Sequence, residues 1–320
     1  MAEASPVDMA LSAFRRREQR FVLTGASIVY VIVSFLLTAA LLAAAFPVIS
    51  ALSAWQFESM RVLGEGGEPP RPPLGPIISL TPWLVGAGLL GLLLYAAYEA
   101  ACLRWLVRGE RGGVFGLTLG PDTWRVFACY FVWFALAIAS ALLIVGVYIG
   151  LSAVRDAASV LLLGVVFVAA LAPLALGALM IWCAVRLSPA SAVCVSQRRF
   201  AFFDAWKTTR GRFWELLGAF VILLAVYFGV GAFASVLIRI PMTQATYPLM
   251  QEVLGGGTVE EIIERARASF TAPLTVALVA LYALVTTVLA MLLYVGWFGI
   301  NARAVLVALD EGKTVVDSAD

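Results

Sequence analysis

Six long apolar runs dominate the chain, at about residues 22–46, 77–100, 124–148, 158–183, 213–238 and 272–300. Each exceeds the roughly 20 residues that an α-helix needs to cross a 30 Å hydrocarbon core. The first, VLTGASIVYVIVSFLLTAALLAAAF, holds thirteen Val, Leu, Ile or Phe residues. Together these favour insertion by about 4–8 kcal/mol. No charged residue lies deep within a run, and Glu99 and Glu215 stand at run ends, within expected reach of the interface. Backbone in hydrocarbon must satisfy its own polar groups, which a helix does. The expected fold is therefore all-α: a polytopic transmembrane helix bundle of six spans with short interfacial helices.

Charge supports the same class. Only 13% of residues are charged, too few to cover a water-facing globule, and mean hydropathy is +0.96. The basic stretch FRRREQR precedes the first run, but that run is longer than a signal-peptide core of roughly 7–15 residues, so a retained first helix is expected. Sixteen of the 22 Lys and Arg residues fall on one side of the six-span topology. The positive-inside rule makes that side cytoplasmic, with both termini on it. The chain then divides into a cytoplasmic N-terminal segment (1–21), a membrane domain (22–301) and a cytoplasmic tail (302–320).

Several chemistries lack their residues. There is no histidine, which removes the commonest general base and metal ligand. Cys102, Cys129, Cys183 and Cys194 form no CxxC pair and lie in or beside apolar helices, where they are expected to be packing residues. The glycine-rich stretches GEGG and LGGGT lack the Lys-Ser/Thr of a phosphate loop. No catalytic residue, metal site, cofactor or nucleic-acid partner is expected.

The connections carry most of the information. Residues 64–76, GEGGEPPRPPLGP, predict a semi-extended tether. TVEEIIERARASF (258–270) predicts a short amphipathic helix with a capping box from Thr258 to Glu261. Hydroxyl stripes in the first run (Thr24, Ser27, Ser34, Thr38) and the sixth (Thr275, Tyr282, Thr286) are expected to face the bundle interior, with spans one and six as neighbours. Mid-run Pro173 predicts a kink.

The linker 184–212 mixes cations with aromatic residues. Ser188 and Pro189 predict a capped helix start, Asp204 a second start, and Gly211 a break before the fifth run. Phe200, Phe202, Phe203, Trp206, Phe213 and Trp214 are expected at headgroup depth, with Arg186, Arg198, Arg199, Lys207, Arg210 and Arg212 at the phosphates. These cations form a candidate anionic-lipid site, with Trp206, Phe213 and Trp214 as interfacial anchors. The expected partners are membrane lipids, anionic ones among them.

Arg186, Pro189, Trp206, Thr209, Gly211, Arg212 and Trp214 form a pattern of Arg and Pro after span four and a W-x-x-T-x-G-x-x-W-like stretch before span five. This resembles a bacterial group of six-helix membrane proteins similar to the membrane domain of some glycerophosphoryl diester phosphodiesterases. The resemblance implies an integral protein of the cytoplasmic membrane. It does not imply phosphodiesterase activity, for which the histidines are missing. Three roles fit, in this order: a non-enzymatic scaffold, envelope helper or lipid-interacting module; a small permease or lipid transporter; and a membrane lipid enzyme using acids among Glu99, Glu110, Asp122, Asp204 and Glu215.

Overall fold

A computed structural model describes residues 5–15, 20–64, 66–110, 112–113, 116–155, 162–254, 264, 268 and 272–312. Its helices are α1 (Pro6–Ala10), α2 (Ser12–Arg15), α3 (Arg20–Gly64), α4 (Leu74–Leu103), α5 (Pro121–Arg155), α6 (Leu162–Leu187), α7 (Ala190–Ser196), α8 (Ala205–Thr208), α9 (Phe213–Leu254) and α10 (Pro273–Asp310). A π-helical turn, Arg104–Arg108, prolongs α4. No strand occurs among the described residues. Six helices are long and apolar enough to cross a bilayer, and the chain is an all-α, multi-pass membrane protein. Many outward side chains on these spans are large and apolar, such as Phe35, Phe46, Trp83, Phe228 and Phe233. A hydrocarbon solvent would cover them.

The chain forms two compact units: residues 1–17 with 206–314, and residues 18–205 with 315–320. In the larger, α3 packs on α4, α4 on α5 and α5 on α6. Tyr30 of α3 stacks on Tyr98 of α4 with ring centroids 4.7 Å apart. The Ser27 hydroxyl shares a 2.7 Å hydrogen bond with that of Tyr98. The tether between α3 and α4 is non-helical over residues 66–73, and Trp55 Nε1 donates to the Pro70 carbonyl at 2.7 Å.

In the smaller unit, α9 packs on α10, and α1 and α2 lie against them. Missing side chains permit this closeness. A Cβ on Gly296 would stand 2.7 Å from Leu223 Cδ1, and one on Gly299 would stand 2.6 Å from Ala13 Cβ. Phe220 and Trp297 fill the next layer, centroids 4.3 Å apart. The N-terminal segment is thus part of the fold. Ser5 caps α1 by accepting from the Asp8 amide, Pro6 starts it, and Met9, Ala10 and Ala13 are buried.

Several expectations need correction. The hydroxyl stripes do not face inward as units. Ser27 reaches Tyr98, but Thr38 donates to Ser34 O and Thr286 to Tyr282 O, each in its own preceding turn. Thr24 is exposed and Thr275 buried. Helices α3 and α9 outrun their apolar stretches, α3 passing through Pro47 to Gly64. The flanking Ala, Leu, Met, Gln and Glu residues favour helix, so polarity alone does not end it. Helix α6 continues through Pro173, as a helix with a proline kink does. Helix α10 runs on past its apolar run to Asp310, with Ala302, Ala304, Val305 and Ala308 buried. The amphipathic helix expected at 258–270 lies outside the described residues, apart from positions 264 and 268.

The glycine contacts set a stability expectation. Gly299→Ala should destabilise by about 1–3 kcal/mol, because Ala13 must move. Gly229→Ala, with nothing within 4 Å of its Cβ, should stabilise by up to about 1 kcal/mol. Unfolding in mixed detergent micelles, followed by tryptophan fluorescence, measures both.

Candidate functional site

Burial in both units concentrates where the basic connections lie. In the larger unit the buried residues run through 96–106, 122–129 and 185–205. Helix α4 ends there in its π-helical turn and is closed by Gly109 at φ 68°, a left-handed position that glycine adopts without strain. This turn presents two arginines. Arg104 donates to Thr118 Oγ1 at 2.7 Å and to the Gly116 carbonyl at 2.6 Å, holding the loop before α5. Arg108 donates to the Val195 carbonyl at 2.9 Å and forms an ion pair with Asp122. A single guanidinium thus ties the end of α4, the first turn of α5 and the last turn of α7.

Asp122 stands in the first turn of α5, directly after Pro121, where an acid complements the helix dipole, and it does more. It accepts from Arg108 through Oδ2 and from Arg125 through Oδ1 at 2.6 Å, and it is buried. Glu110 accepts from Arg108 and, at 2.7 Å, from Arg198.

Glu99 departs furthest from expectation. It does not reach an interface: it is 3% exposed. Its carboxylate accepts from the hydroxyls of Tyr130 on α5 and Ser191 on α7. Tyr95 packs its ring 5.6 Å from that of Tyr130. Position near the end of an apolar run signals interface, but the helical face decides burial, and Glu99 faces α5 and α7.

The linker follows its expected outline with changed details. Ser188 does not cap α7. Its hydroxyl donates back to Val185 O, and Pro189 takes the cap position. A 3₁₀ turn at Phe202–Asp204 and then α8 follow, and Gly211 breaks the chain at φ 86°. Phe202 is 1% exposed and packs edge-on to Trp133 at 5.9 Å, so it belongs to the core rather than the headgroups.

The candidate cations separate by environment. In the larger unit, Arg186 is half-buried with its guanidinium 5.8 Å from the Trp182 ring centroid. Arg198 pairs with Glu110, and Arg199 with Asp204 at 3.0 Å. Exposed Phe200 and Phe203 flank them. In the smaller unit, Arg212 is largely withdrawn by its ion pair with Glu311. Lys207 and Arg210 are exposed, and Arg210 makes no ion pair among the described residues. Around them stand exposed Trp206, half-buried Phe213 and Trp214, which is 78% exposed. No group of three or more Cys, Asp or Glu residues with metal-site geometry occurs among the described residues.

Breaking the buried ion pair should be costly. Arg108→Gln or Asp122→Asn alone is expected to destabilise by about 1–3 kcal/mol, because each removes a buried partner and leaves Asp122 only Arg125, or Arg108 only Glu110. The double variant should cost less than the sum of the two. A double-mutant cycle on unfolding midpoints measures this coupling.

No protein-family model, curated protein or solved structure matches this chain.

Proposed function

We propose that the protein is a non-enzymatic integral protein of the bacterial cytoplasmic membrane, with both termini cytoplasmic, whose linker between spans four and five engages anionic lipid headgroups. The resemblance of the Arg186–Trp214 pattern to a bacterial group of six-helix membrane proteins, similar to the membrane domain of some glycerophosphoryl diester phosphodiesterases, supports the placement. The observation that carries the lipid reading is the set of exposed side chains Trp206, Lys207, Arg210 and Trp214. Exposed Lys207 and Arg210 stand among Trp206, Phe213 and Trp214, and Arg210 pairs with no acid among the described residues. Exposed indoles settle at the bilayer interface and hold neighbouring cations at phosphate depth. Each such cation contributes about 1 kcal/mol on an anionic leaflet.

Lys207→Gln with Arg210→Gln should lower enrichment of phosphatidylglycerol over phosphatidylcholine roughly tenfold, read by native mass spectrometry of protein from mixed vesicles. Unchanged enrichment in a normally folded variant would refute the lipid reading. Orientation has a separate test. Reporter fusions near Gly66 and Gly256 should appear outside, and one near Gly112 inside.

Glu99 favours a second reading, a small permease or lipid transporter, because a buried carboxylate in a span commonly lines a solute path. In that case Glu99→Gln would abolish solute flux into reconstituted vesicles while leaving lipid enrichment unchanged.

A further inference from the structure

Cys129 of α5 and Cys194 of α7 point at each other. Their Sγ atoms lie 3.6 Å apart, and both residues are buried. They are 65 positions apart in sequence, so their meeting is a product of the fold rather than of local spacing. A disulfide requires about 2.05 Å, so the sulfurs need approach by only about 1.5 Å, shared between two side chains. Cys102 is also buried and Cys183 half-buried, yet neither has a thiol partner among the described residues.

Two further features single out the pair. The Ala201 amide donates to Cys194 Sγ at 3.2 Å. A hydrogen bond to sulfur stabilises negative charge there, as an attacking thiolate requires. The cover over this sulfur is the short connection 197–201, which has no regular structure. Its exposed residues are Arg198, Arg199 and Phe200, and Arg198 holds a left-handed φ of 50° that costs energy for a residue with a side chain. Local release of this strained turn would uncover Cys194 without disturbing the spans. At its far end Phe202 packs edge-on to Trp133, one helical turn beyond Cys129. The end of the connection therefore lies on Cys194 and meets α5 near Cys129.

We propose that Cys129 and Cys194 form a redox-active dithiol that closes an α5–α7 disulfide, with Cys194 as the attacking thiol and a small uncharged disulfide R′SSR′ as oxidant. The Cys194 thiolate, having lost its proton, attacks one sulfur of R′SSR′. A Cys194–SR′ bond forms, the R′S–SR′ bond breaks, and R′S⁻ leaves to take up a proton. Cys129, on losing its proton, then attacks Cys194 Sγ and expels the second R′S⁻. Two S–H bonds and one S–S bond are exchanged for one protein S–S bond and two R′SH, and two electrons pass to the oxidant. The product bond fastens the linker helix α7 to span three.

The test uses the full chain, reduced in detergent and then treated under folding conditions with 4,4′-dithiodipyridine, which is small, uncharged and releases a coloured thiopyridone. The expected product is a Cys129–Cys194 cross-linked peptide in mass spectrometry, two thiopyridones released for this pair, and no pyridyl adduct on either residue. In Cys129→Ser the reaction should stop at a pyridyl adduct on Cys194. In Cys194→Ser, Cys129 should remain unmodified. Separate adducts on both cysteines of the parent, no reaction at either, or a cross-link appearing only in denaturant would overturn the proposal. An adduct on Cys129 in Cys194→Ser together with none on Cys194 in Cys129→Ser would overturn the assigned order of attack.

Discussion

The ion pair between Arg108 and Asp122 is the interaction on which the larger unit depends. Helices in hydrocarbon gain little from the hydrophobic effect against one another, because lipid tails are as apolar as their own side chains. Specific polar contacts must therefore fix their relative positions. In this unit those contacts sit at one end, where Arg104 and Arg108 leave the π-helical turn and bind the α5 entry loop, Asp122 and the α7 carbonyl of Val195. A regular α-helical ending would space Arg104 and Arg108 one turn apart on one face. The π turn widens that ending and directs the two guanidinium groups to different loops. Glu99, held by Tyr130 and Ser191, adds a second polar link between α4, α5 and α7. In the smaller unit small residues do the equivalent work, with Gly296 and Gly299 letting Leu223 and Ala13 approach.

The connections of each unit expose residues suited to a charged interface. Protein acids already neutralise part of the basic surplus, Glu110 for Arg198, Asp204 for Arg199 and Glu311 for Arg212. These pairs are mostly exposed or half-exposed, so each contributes little to stability. Their effect is to position: they fix the linker backbone, and with it the aromatic side chains that face outward. Exposed Arg210, which pairs with no acid among the described residues, is the cation best placed for a ligand from outside the protein.

The sequence carried the architecture clearly, because a span is a composition signal about 20 residues long that tolerates local irregularity. The helix break at Gly211 and the non-helical tether at 66–73 were also legible, since glycine and proline act through their own backbone geometry. Side-chain partnerships were not. Asp122 read as a dipole charge, Glu99 as an interfacial acid and Phe202 as an interfacial aromatic, and all three are buried against neighbours distant in sequence. Hydropathy has no information about which face of a helix meets another helix. Cys129 and Cys194 show the same limit: nothing in their spacing marks them as neighbours.

Amide hydrogen exchange on the parent and Arg108→Ala, both in lipid nanodiscs, tests most directly whether one arginine holds these elements together. The loop 116–120 and helix α7 should exchange at least tenfold faster in the variant than in the parent. Exchange in α9 and α10, which belong to the other unit, should be unaltered. Equal protection of the loop and α7 in the two proteins would contradict the central role of Arg108.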